Sequence, residues 1–122
     1  MILTQSQLTK KCREWQKVLR LQDWDVEVKI VREWDFVNKG SIGEVGRNNQ
    51  HKSATIRILH PIDYDPGNYG PQDMEEDLVH ELLHLHFLSE MFDLEPKMEI
   101  QYEQAINRTS EALVKLKREA EK

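Results

Sequence analysis

The chain has 122 residues, 39% hydrophobic and 32% charged, which is the balance of one folded domain over residues 1–122 and too apolar for disorder. A net charge of −5 disfavours a nucleic-acid surface. No run approaches the ~18 apolar residues of a membrane span, and the first residues lack the apolar centre of a secretory leader, so a cytoplasmic protein is expected.

Leu8, Cys12, Trp15 and Leu19 recur at the spacing of one helical face and predict a helix over 4–21. Thr4 with Gln7 fits a capping box, and Leu3 with Leu8 a hydrophobic staple. Cys12, the one cysteine, lies on the apolar face and reads as packing rather than as a reactive thiol. From Trp24 the pattern alternates, with Trp24, Val26, Val28 and Ile30 on one side and Asp25, Glu27 and Lys29 on the other, as in a half-buried strand. Residues 40–47 and 53–60 read as two more strands, joined by the turn-prone run Asn48 to Lys52, with Ala54, Ile56 and Ile58 facing the core. Gly40, Gly43 and Gly46 fit neither a dinucleotide fingerprint nor a phosphate loop and are read as hairpin bends.

Prolines and glycines from Pro61 to Pro71 mark a loop, and Pro71 suits the first turn of a helix running to about Glu90. Asp73, Glu75, Glu76 and Asp77 stand in its opening turns, where the helix dipole favours negative charge. Asp63, Asp65 and Asn68 lack the spacing of a calcium loop and read as a solvated turn. A last helix after Pro96 carries Tyr102, Ile106, Leu113 and Leu116 on one side. The order predicts an α+β domain: an N-terminal helix, a small, mostly antiparallel sheet of three or four strands, then two helices. Trp15 and Trp24 read as packing residues, while Trp34 fits no face.

The chemistry concentrates in Val79-His80-Glu81-Leu82-Leu83-His84-Leu85, a His-Glu-x-x-His pattern placed centrally in a predicted helix. Four-residue spacing projects His80 and His84 from one face, where both imidazoles can meet one Zn²⁺. Glu81, rotated by about 100°, reaches a water in an open coordination position and serves as the general base. Such a site hydrolyses amide or peptide bonds. His86, about 200° round the helix from His84, reads as a polar or structural histidine.

A catalytic zinc needs a third protein ligand, and the downstream carboxylates Glu90, Glu95, Glu99, Glu103 and Glu111 are available. Glu90 and Glu95 lie too close to the active-site helix to fold back onto it. Glu103 has Asn107 one turn later, able to hold a ligand histidine by its second nitrogen, whereas Glu99 sits nearer the middle of the apolar stripe. Glu103 is preferred, with Glu99 as the alternative. Tyr64, Tyr69, His60 and Tyr102 are each candidates to bind an oxyanion.

With Glu103 19 residues after His84 and Asn107 four further on, residues 79–107 resemble the gluzincin metallopeptidases, the group that includes thermolysin. Asn107 stands where that group has an acidic residue supporting a histidine. Length and element order resemble the minimal minigluzincins and similar small prokaryotic or phage proteins. The resemblance implies a zincin-like fold whose strand before the active-site helix, residues 54–59 here, rims the cleft and pairs with substrate. It also implies a zinc metallopeptidase with His80, His84 and Glu103 as ligands, Glu81 as the catalytic residue, and a peptide or protein as substrate. The alternative is a zincin-like binding or regulatory module that holds zinc without turnover.

Overall fold

The computed structural model describes residues 1–87 and 96–122. Helix α1 spans Gln5–Val18, and its start is built as the sequence predicts: Thr4 and Gln7 exchange side-chain to backbone hydrogen bonds at 2.9 and 3.2 Å. Leu8, Cys12 and Trp15 face inward, and burial pushes the Cys12 thiol pKa up. The helix stops short of residue 21 because Arg20 takes a positive φ of 58° and Leu21 N–H donates back to Gln16 O.

Three strands follow, β1 (Asp25–Val31), β2 (Gly43–Asn48) and β3 (Ser53–Leu59), in the order β1-β3-β2. The β2–β3 hairpin turns where Asn48 Oδ1 accepts from the backbone N–H of Gln50 and His51. The expected mostly antiparallel sheet is corrected here: β1 pairs with β3 in parallel and β2 with β3 antiparallel. The cause is the segment 32–42, long enough to carry a one-turn 3₁₀ helix (Glu33–Asp35) and the buried Phe36, which lets β3 slot between β1 and β2. Being central, β3 buries Ala54, Ile56 and Ile58 and pairs along both edges, so residues 54–59 have no edge left for a peptide. Of the three glycines read as hairpin bends, only Gly40 has a positive φ; Gly43 and Gly46 lie inside β2.

After a 3₁₀ turn at Pro61–Asp63, the loop makes one short helix, α2 (Pro66–Tyr69), and α3 (Met74–His84) begins at the N-cap Asp73 rather than at Pro71. Gln72, buried, donates to Leu59 O at 2.8 Å and ties this entrance to β3. Met74, Leu78, Val79 and Leu82 pack α3 against the sheet and α1. The helix ends at His84 instead of continuing to Glu90; Glu90 and Glu95 lie outside the described residues. Helix α4 (Pro96–Ala120) packs on α3 through Ile106, Ser110 and Val114, with Tyr102 and Leu113 partly buried beside them, whereas Leu116 is exposed. Among the described residues no helix is long and apolar enough to cross a membrane.

Two polar features fasten the helices together. Glu75, fully buried, accepts from Trp15 Nε1 of α1 at 2.8 Å and from Arg118 of α4 at 3.0 Å. Arg118 also grips Asp73, so three helices meet on two carboxylates at the start of α3.

Candidate metal centre

The four-residue spacing on α3 sets the rings of His80 and His84 side by side, centroids 5.0 Å apart, with their Nε2 atoms 3.2 Å from each other. Glu103 reaches across from α4 and places Oε2 3.1 Å from His80 Nε2 and Oε1 3.1 Å from His84 Nε2. One donor atom from each of the three residues lies within 4.8 Å of the others, a cluster that could hold a metal ion. In a tetrahedral site with bonds of about 2.0–2.1 Å, neighbouring ligand atoms stand roughly 3.3–3.4 Å apart. The two Nε2 atoms stand close to that edge length, and Glu103 presents a different oxygen to each of them. Glu99 is exposed and takes no part in the cluster.

Charge in the centre is consistent with the geometry. Burial works against a charged His80, but the hydrogen bond to Glu103 and the charge of Glu81 outweigh it and raise the imidazole pKa. Glu103, bonded to His80 and His84, is held well below the usual carboxylate range despite its partial burial.

Each histidine is also steadied from α4. Asn107 hydrogen-bonds His80, as the sequence suggests, and the Tyr102 hydroxyl lies 3.2 Å from His84 Nδ1. Tyr102 is therefore a support for His84, a role the sequence reading did not give it. Its place immediately before Glu103, four residues ahead of the buried Ile106, was the available signal. The ring of Phe87 meets Tyr102 edge-on at 5.5 Å.

Glu81 is 7% exposed and sits beneath β2. Gly43 lies so close that a Cβ there would be 3.1 Å from Glu81 Oε1. The centre opens into a cleft of about 600 Å³, within the range of small-ligand and peptide sites. Its walls include Ser41, Gly43, Tyr64, Tyr69 and Asp77. Burial, and then the charges of Asp73, Glu81 and Glu76, raise the Asp77 pKa to about 7, and its Oδ2 has no hydrogen-bond partner among the described residues.

The other singled-out residues fall outside the centre. His60 Nδ1 accepts from Ile62 N–H and caps the turn at Pro61–Asp63, away from the cleft, leaving Tyr64 and Tyr69 as the phenols that face it. His86 Nε2 lies 2.6 Å from Leu19 O, a structural tie between α3 and α1. Asp63 pairs with Arg32 and Asp65 caps α2, so these acids close a turn. Trp34 is exposed beneath the Arg32 guanidinium, 4.4 Å from the ring centroid.

No protein-family model, curated protein or solved structure matches the chain.

Proposed function

We propose that the chain is a zinc-dependent metallopeptidase of the gluzincin type, with His80, His84 and Glu103 as ligands and Glu81 as general base. The observation that carries this reading is the convergence of two imidazoles and one distant carboxylate, with a second carboxylate buried next to them at the floor of a cleft. The nitrogen and oxygen donors suit zinc, and three protein ligands leave a fourth position open, as in catalytic sites. When bound, zinc would supply a Lewis acid able to polarise a carbonyl and to acidify water.

The chain's own groups have distinct tasks. Glu81, anchored at the next helical position after His80, takes a proton from the attacking water and passes it to the departing amine. Burial keeps its carboxylate within a narrow range of positions. Tyr64 and Tyr69, which line the cleft, are the candidate donors to the carbonyl oxygen on which negative charge grows.

Substrate is placed by β2, which replaces β3 in that role. Ile42 O accepts from Leu59 N–H, so the alternation of an antiparallel ladder turns the backbone groups of Gly43 and Val45 away from β3. An extended peptide can pair along that edge while crossing Glu81. Acidic side chains and no Lys or Arg line the cleft among the described residues, which favours cationic peptides over anionic ones.

The test is metal analysis joined to cleavage of a mixed peptide library. One zinc per chain is expected, lost in His84→Ala, with cleavage abolished but zinc retained in Glu81→Gln. Absence of bound zinc in the wild-type protein refutes the reading; zinc without cleavage leaves a zinc-holding module in its place.

A further inference from the structure

We infer that Arg47 is a positioning residue for the metal centre, holding the ligand end of α3 against the edge strand β2. The inference rests on the reading of His80, His84 and Glu103 as ligands.

Arg47 reaches from β2 to α3, where Nη1 donates to His84 O and Nη2 to Phe87 O, each at 2.6 Å. His84 is the last residue of α3 and Phe87 lies three residues beyond it; His84 O also accepts from Phe87 N–H at 3.2 Å, but carbonyls at this end keep acceptor capacity and the helix dipole is negative here. A cation placed there satisfies both demands. Two short bonds from one planar guanidinium fix position and direction together, which a single ammonium cannot do.

The residue held is itself a ligand. His84 is the last residue of α3, followed by one turn in which His86 N–H donates to Leu83 O and Phe87 N–H to His84 O, and the direction of its ring follows that end of the helix. Ring nitrogens 3.2 Å apart leave little tolerance: a shift near 1 Å at His84 would spoil the triad's match to one ion. The other arginine pairs of the sheet region run within it or to its loops, Arg57 to Glu44 and Arg32 to Asp63. Arg47 instead spans from sheet to catalytic helix. The same strand presents Gly43 to Glu81, so residues 43 and 47, both on the α3 side of β2, set the base and a ligand from one element.

The experiment measures zinc affinity by competition with a chromophoric chelator, and the visible spectrum of the Co²⁺-substituted protein, for wild type, Arg47→Met and Arg47→Lys. Methionine should weaken zinc binding about tenfold or more and alter the Co²⁺ bands, while lysine, able to reach one carbonyl, recovers part of the loss. If Arg47→Met does not fold without metal, Arg47→Lys is judged alone, and wild-type affinity and spectrum in it overturn the inference. A methionine variant that melts earlier yet binds zinc as tightly as wild type, with an unchanged Co²⁺ spectrum, also overturns it, since Arg47 is then only a structural tie. Wild-type protein that binds no zinc fails the metal reading itself, a different result from an Arg47 variant that matches wild type.

Discussion

The Tyr102 hydroxyl lies 3.2 Å from His84 Nδ1, while Nε2 of the same ring faces His80 and Glu103. A neutral histidine has one N–H, and donation of Nδ1–H to the phenol oxygen leaves the Nε2 lone pair for a metal. Tyr102→Phe keeps the ring that packs against Phe87 and removes the acceptor. Zinc affinity should fall by up to about tenfold, with the melting temperature little changed. Isothermal titration with zinc checks this, and unchanged affinity would show that the Tyr102 hydroxyl does not orient His84.

Gly43 predicts a different separation of effects. A methyl group at this position would stand 3.1 Å from Glu81 Oε1, tighter than ordinary contact, so the carboxylate must shift by a few tenths of an ångström. Alanine is tolerated in a strand backbone, and fold stability should change by less than about 1 kcal/mol. In Gly43→Ala zinc should bind as in wild type, whereas peptide cleavage should fall about tenfold or more because the base is displaced. Equal kcat in the two proteins would rule out a tight constraint on Glu81.

These contrasts show what the amino-acid pattern could and could not convey. The capped start of α1, the β2–β3 hairpin and the paired histidines depend on neighbours within a few residues, and all were readable. Glu103 was readable because Asn107 repeats on the same helical face. Sheet order was not, since it depends on how 32–42 crosses, and neither was the end of α3, where apolar residues continue through Leu85 and Phe87. Arg47 and Gly43 went unrecognised because their partners lie 37 and 38 positions away in sequence and nothing local marks the contact.

Asp77 gives a pH dependence whose sign can be worked out. Its pKa, 3.8 unperturbed, is raised by burial and by the nearby carboxylates to about 7 in the folded protein. The folded state therefore holds the proton more tightly than the unfolded one, and the stabilising contribution is fully present below pH ~4 and lost as pH rises through ~7. The difference is on the order of 2–4 kcal/mol at most. Asp77→Asn cannot ionise and should flatten this component, melting above wild type at pH 8 and by a smaller margin at pH 5. Thermal melts at the two pH values decide it; a variant less stable than wild type at pH 8 would mean that ionised Asp77 is accommodated.

Trp15 tests whether the far end of α3 is independent of the metal centre. Its indole N–H donates to Glu75 Oε2 at 2.8 Å, and Arg118 holds the other oxygen of this fully buried carboxylate. Lys11 Nζ also stands 3.5 Å from Oε2. Trp15→Phe removes the donor and leaves space where the larger ring packed, so it combines an under-satisfied buried charge with a cavity. Destabilisation of about 2–4 kcal/mol is expected by denaturant titration. Glu75 lies nine residues before His84, about 13 Å along the helix, and α3 is held separately there by Arg47. Zinc affinity, measured at a temperature where the variant is folded, should equal that of wild type. A parallel loss of affinity would mean that the α1–α3–α4 junction sets the orientation of the ligand helix along its whole length.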